Sequence, residues 1–275
     1  MIMSNIAVVG MAAKIGPADD LDAVARRIYD GEPLLLSQGP ESDDALARVI
    51  DGALADARLQ GEEDAAIITV DPEIEGAPDT VLAALEAARQ RLTSADTTAV
   101  VIAAGDEGDA GAIVLQDLAL ANAQAYRIYA VIESLALAES NERSPETVEA
   151  TCRRAWAQTD LSSDDLGYLE LAGHEDLQRE STTLEGLRRA CRTPEAEPTC
   201  GLGTGVSGAE SAPVAEMASL IKTVLCLHQR FLPAQPDWHG PEAPERWQEA
   251  PFYVNETSRP WFVPDGEKRV AAFFT

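Results

Sequence analysis

From Pro213 the chain carries a helix-length segment whose middle, Leu220-Ile221 and then Val224 to Leu227, is apolar on every side. A helix at a protein surface needs only one apolar stripe, so a helix that is apolar all round has to be covered all round. It belongs between layers, and any fold for this chain must supply a layer on each side of it. No apolar run reaches the roughly 18 residues that cross a bilayer, so the covering is expected to be protein. With 275 residues, 45% of them apolar, there is material for one large domain or two small ones.

The remaining sequence supplies candidate layers. Ile6-Ala7-Val8-Val9-Gly10 is a short apolar run ended by glycine, which reads as a buried strand. Leu21, Val24, Ala25 and Ile28 share one face of a helix that Gly31 closes. Ser42 is placed to cap a second helix with the apolar face Leu46, Val49, Ile50, Leu54 and Ala57. Strands follow at 65–70, 99–103 and 110–115, with a helix over 81–92 and an acidic turn at 105–109. This β-α-α-β-α-β-β order predicts a layered α/β domain.

The second half repeats the rhythm. A strand is expected over 126–131, and Ser144-Pro145-Glu146 starts a helix with a capping serine and a proline in the first turn. Another strand follows over 168–171, then a helix over 184–191, the all-apolar helix, and a last strand over 269–275. That strand runs to the final residue, which suggests a hairpin cut short or an excerpt of a longer polypeptide. The stretches 193–200 and 239–250 read as exposed loops.

Charge narrows the partners. Forty-seven acids against 21 Lys+Arg leave a formal −26. A field of that sign repels phosphate backbones and anionic lipid, so neither nucleic acid nor membrane is an expected partner. No basic N-terminal region precedes a long apolar core, so no signal peptide is expected. Cys152, Cys191, Cys200 and Cys226 show no CxxC spacing. They form neither a zinc pattern nor a disulfide framework, and they fit a reducing cytoplasm.

Candidate chemistry is sparse. Gly203-Thr204-Gly205-Val206-Ser207-Gly208 matches GxGxxG, but dinucleotide binding also needs a preceding strand and an acid about 20 residues on. An acidic, proline-containing loop precedes the motif and Lys222 lies in the region beyond, so it reads as a loop leading into a helix. Cys152 shares an apolar face with Val148 and Ala155, and Cys226 lies on the all-apolar helix; both read as core. Cys191 and Cys200 flank a loop, where a reactive thiol is the alternative to packing. His174, in Gly-His-Glu-Asp after a strand, offers a metal ligand or general base beside Glu175 and Asp176; a charged surface turn is the competing reading. His228 falls at a helix C-terminus, where a cation is favoured, and His239 falls in a loop. No His/Cys/Asp spacing marks a metal site, and no cofactor is expected.

Several strings together resemble the β-ketoacyl synthase family. They are Ile6-Ala7-Val8-Val9-Gly10-Met11-Ala12 with Asp19-Asp20-Leu21-Asp22 and Asp30-Gly31, then Ala110-Gly111-Ala112-Ile113-Val114-Leu115 followed by Arg127-Ile128-Tyr129-Ala130-Val131-Ile132. Ala218-Ser219-Leu220-Ile221-Lys222-Thr223-Val224-Leu225 with Phe231-Leu232-Pro233 is similar to that family's buried helix and the loop after it. The stretch Pro251-Phe252-Tyr253-Val254, Ser258-Arg259-Pro260-Trp261 and Lys268-Arg269-Val270-Ala271-Ala272 most resembles ketosynthase-like regions of polyunsaturated fatty acid and polyketide synthases. The resemblance implies an α/β thiolase-like layered sandwich of two similar halves, here 1–122 and 123–275 of a single domain. It also implies decarboxylative condensation of acyl thioesters by one cysteine and two histidines.

The chain departs from that pattern at all three positions. The cysteine's place, at the start of the helix over 81–92, falls near Pro78; the first histidine's place falls on Ala172 and the second's on Glu210. The segments before Val81 and between Ala103 and Ala110 are short for the family, and its closing Gly-Phe-Gly-Gly hairpin is absent after Thr275. Groups that act as a unit do not leave useful activity when all are gone. The expectation is therefore a shortened, catalytically silent ketosynthase-like module that docks other synthase domains, such as a ketosynthase or acyltransferase. An acyl carrier protein, itself acidic, is electrostatically disfavoured. The alternative is an acyl-thioester enzyme built on His174, with Glu170 or Glu175, or on Cys200.

Overall fold

The computed structural model describes residues 5–34, 44–59, 65–94, 96–106, 108–140, 144–172, 177, 181–191, 198–205, 212–236, 238–247 and 250–275. Two sheets flank a central helical layer. The first contains β1 (Ile6–Lys14), β2 (Ala66–Thr69), β3 (Val100–Gly105), β4 (Ala110–Asp117) and β5 (Ala130–Ile132), in the order β2-β3-β4-β1-β5. Only β2 and β3 are parallel; β3-β4, β4-β1 and β1-β5 are antiparallel. The second sheet is all parallel, with β6 (Leu166–Leu171), β7 (Cys200–Thr204), β9 (Phe252–Tyr253) and β11 (Val270–Phe274) in the order β11-β6-β7-β9. A separate antiparallel pair joins β8 (Phe231–Leu232) to β10 (Arg259–Pro260).

Both faces of the first sheet are buried, and the side-chain period of two divides its residues. Val101, Ala103, Ala112 and Val114 meet α2 (Ala45–Asp56), which contributes Val49, Ile50, Ala53 and Leu54. Val100, Ile102, Ile113 and Leu115 meet the central layer of α1 (Leu21–Asp30), α3 (Val81–Thr93) and α7 (Ala212–Gln229). The second sheet lies on the far side of α7. Its other face packs on α5 (Pro145–Trp156) and α6 (Thr182–Ala190) through Leu169, Leu171, Leu202, Val148, Leu184 and Leu187. The layers run α-β-α-β-α, and every residue of α7 from Pro213 to Cys226 is buried. The remaining helices are short: α4 (Leu118–Ala123) and α8 (Pro244–Trp247).

Local signals account for the helix ends. Asp20 caps α1 through the Ala23 amide at 2.8 Å, and Gly31 closes it at φ 72, a conformation that costs glycine nothing. Ser144 accepts from the Thr147 amide with Pro145 in the first turn of α5.

Other expectations need correction. Asp44 precedes α2 without a side-chain cap, and Ser42 lies outside the described residues. The strand expected over 126–131 shrinks to β5, because Ala125 turns left-handed at φ 53 after α4 and the next residues form a connection. That strand pairs with β1, so the first sheet draws on residues past 122. In the stretches taken as loops, 198–200 feeds β7, with the Thr199 and Cys200 amides both donating to the Pro251 carbonyl at 2.9 Å, and 239–250 contains α8. Among the described residues no helix is long and apolar enough to cross a membrane.

Candidate functional site

The start of α3 is where the family resemblance places a nucleophile. The chain approaches it through a knot of turns: the Asp71 amide donates to the Pro78 carbonyl at 3.0 Å, the Glu73 amide to Asp71 Oδ1 at 2.8 Å, and Gly76 adopts φ 86. Pro78 is half-buried and offers no reactive atom; Asp79 is exposed. Thr80 is the N-cap, its hydroxyl oxygen accepting from the Ala83 amide at 3.2 Å. The Val81 amide donates to Glu216 Oε2 at 2.8 Å, from a carboxylate carried by α7. The Thr275 hydroxyl donates to the other oxygen, Oε1.

A second polar group lies on the face of α7 turned toward the second sheet. Lys222 Nζ meets Glu170 Oε1 at 3.1 Å and Oε2 at 2.9 Å, and donates to the Thr204 carbonyl at 2.6 Å. The Tyr168 hydroxyl donates to Glu170 Oε2. Glu170 is wholly buried and Lys222 is 4% exposed, and charges so placed persist only when paired. Burial pushes the Glu170 carboxyl above its usual range, and the Lys222 ammonium opposes that shift. Burial, then the charge of Glu170, lifts the Tyr168 phenol well above its ordinary value. The group is packed tightly: a Cβ on Gly203 would fall 2.2 Å from the Tyr168 hydroxyl, and one on Gly205 would fall 1.9 Å from Ser219 Oγ.

These contacts account for the first two glycines of the GxGxxG string. A strand, β7, leads into it and includes Gly203 and Thr204, contrary to expectation, but Gly203 and Gly205 make room for Tyr168 and α7. Val206, Ser207 and Gly208 lie outside the described residues.

Of the other expected positions, the two that are described, Ala172 and Cys200, lie apart. Ala172 follows β6 with its amide donating to the Phe274 carbonyl at 2.7 Å. Glu210 and His174, with Glu175 and Asp176, lie outside the described residues. Glu170, named as a partner for His174, is engaged by Lys222 and Tyr168. Cys200 is at the opposite end of β7 from Thr204, the partner of Leu171, a separation of ~13 Å at the usual strand rise. It is 1% exposed and burial raises its thiol well above the ordinary value.

Burial likewise lifts Cys152 to about 11 and Cys191 to about 12, and holds Cys226 high. None has the cationic, accessible setting of a reactive thiol. His228, expected as a cation at a helix end, is pushed below its usual value by burial and by Arg127 and Arg230; its ring packs on Tyr129 at 4.7 Å. His239 is exposed. Among the described residues no cluster of His, Cys, Asp or Glu could hold a metal ion. Glu216 and the Lys222–Glu170 pair were the features missed from sequence. Their signal was two charges inside a helix that must be covered on all sides.

Comparison with known proteins agrees with this architecture. No family model matches the sequence. The chain is 31% identical over 170 residues to a component of the phenolphthiocerol/phthiocerol polyketide synthase of Mycobacterium tuberculosis, covering 58% of this chain and 11% of that protein. It is 26% identical over 174 residues to polyketide synthase PksL of Bacillus subtilis, covering 59% and 4%. A 56-residue stretch, 20% of this chain and 3% of the relative, is 45% identical to a component of the polyunsaturated fatty acid synthase of Thraustochytrium. The chain thus spans about a tenth or less of the curated relatives it matches.

An oxazolomycin ketosynthase domain of Streptomyces albus superposes with TM-score 0.74 at 22% identity, over 95% of this chain and 89% of that one. The ketosynthase from module 6 of the Bacillus subtilis bacillaene synthase gives 0.79 at 17% identity, over 97% and 67%. The five layers, the buried helix between two sheets and these likenesses give the chain the thiolase-like layered fold of the solved ketosynthases, of whose length it covers 89% in one case and 67–72% in others.

Proposed function

We propose that this domain is a catalytically silent member of a polyketide or polyunsaturated fatty acid synthase, acting as a structural and docking module. The observation that carries the reading is the start of α3, where Pro78-Asp79-Thr80 supplies no thiol and the helix end is already engaged by Glu216. Ala172 in place of the first expected histidine points the same way, since an alanine can neither move a proton nor stabilise an oxyanion. Residues 1–275 act as one module in this reading, with other domains of the synthase, a ketosynthase or an acyltransferase, as partners. The formal −26 disfavours an acidic carrier protein. Four free cysteines suit a cytoplasmic setting.

The competing reading, an acyl-thioester enzyme using Cys200 or His174, gains no support from Cys200. Its thiol is buried and held protonated. The test is intact-mass analysis after incubation with acyl- and malonyl-loaded carrier protein. No mass gain and no decarboxylated product are expected; covalent acylation or release of carbon dioxide would overturn the silent reading.

A further inference from the structure

Glu216 is an acid within a helix that is otherwise almost wholly apolar, and it is 8% exposed. Its carboxylate reaches the bare Val81 amide in the first turn of α3, 135 residues away in sequence, and takes the Thr275 hydroxyl on its second oxygen. The first amides of a helix have no partner within the helix, and the aligned peptide dipoles leave that end positive. α3 is thirteen residues long, and Thr80 takes up the Ala83 amide beside the one held by Glu216. A carboxylate is stabilised at such an end. A second anion brought there meets like charge and finds the Val81 amide already used.

That end of α3 is also the place where a nucleophilic thiol would gain its activation, because a helix N-terminus stabilises thiolate over thiol. We infer that Glu216 is an internal plug: carried by the buried helix and held by Thr275, its carboxylate occupies the positive end of α3 in place of a thiolate or an acyl-thioester oxyanion. The inference rests on the silent reading and deepens it, since the site then lacks a nucleophile and is also filled. Supplying a thiol is consequently insufficient to restore reactivity while Glu216 stays in place.

The test compares two variants of the full chain, Thr80→Cys and Thr80→Cys/Glu216→Gln. The glutamine keeps a hydrogen-bond acceptor for the Val81 amide and removes the charge. Asp79, exposed beside the cap, is common to both and cancels. Iodoacetamide alkylation of the new thiol is followed against pH by peptide-resolved mass spectrometry, which separates it from the four native cysteines. With the glutamine in place, the midpoint of the pH–rate profile is expected about one pH unit lower. Coincident midpoints overturn the plug.

A second arm needs no new thiol. Melting of Glu216→Ala is measured in sodium formate and in sodium chloride at equal ionic strength. Formate is expected to raise the midpoint of the variant above its value in chloride and to leave the natural chain unmoved. Equal midpoints in the two salts overturn the plug. The two readings fail separately: coincident profiles with an unacylated natural chain remove the plug and keep the silence, whereas an acylated natural chain with separated profiles removes the silence alone.

Discussion

The two faces of α7 are buried equally and built differently. Toward the first sheet, Met217, Ile221 and Val224 join an apolar cluster with Ile102, Ile113 and Leu115. Toward the second sheet, Lys222 and Ser219 come against Tyr168, Glu170 and the glycines of β7. The apolar face contributes burial without direction, because dispersion and water exclusion tolerate small rotations of a helix. The polar face tolerates little, because Lys222 has three donors to place and Glu170 has two oxygens to satisfy within hydrogen-bond range. The difference teaches that one side of the buried helix supplies stability and the other fixes its rotation and height between the sheets.

Four variants probe this contrast. Lys222→Met strands the Glu170 carboxylate in the core and should remove about 3–5 kcal/mol of unfolding free energy in denaturant titration. The double variant Lys222→Met/Glu170→Leu should recover most of that loss, leaving mainly the orphaned Tyr168 hydroxyl. A single variant as stable as the natural chain would end the claim that this face is fixed by charge. On the other face, Ile221→Ala should cost about 2–4 kcal/mol by opening a cavity. Unlike the lysine variant it should gain nothing from a second change at Glu170; coupling between the two sites would show that the faces are not independent. Smallest is Gly203→Ala, at about 1–3 kcal/mol from overpacking against Tyr168. Its tyrosine absorbance and fluorescence should change, and an unperturbed Tyr168 signal would mean that the close approach is not limiting.

Much of the fold could be read locally. The i, i+3, i+4, i+7 spacing of α1, the Ser144-Pro145 start of α5 and the continuous apolar runs of β3 and β4 depend on neighbours a few positions away. The misreadings have a shared cause. At 126–131 a strand-like composition begins while the chain is still turning away from α4 at Ala125, and pairing with β1 starts only at Ala130. At Cys200–Thr204 a strand was hidden because the glycines in and after it, Gly203 and Gly205, serve close approach and not a turn. The first expected losses at the candidate site, Pro78 and Ala172, were visible as residue identities. The carboxylate that fills the end of α3 was not, because nothing within a turn of Glu216 indicates its partner.

The burial of α7 on all sides, the alternation of α and β elements around it and the lack of a thiol before α3 are properties of the residue order alone. Those properties follow from hydrophobic periodicity, capping and residue identity, which act over one or two turns of chain. The meeting of Lys222 with Glu170, 52 residues away, and of Glu216 with Val81, 135 residues away, comes from the packing of the layers. Buried charge has to be satisfied within about 3 Å, and which groups come that close depends on how the layers stack.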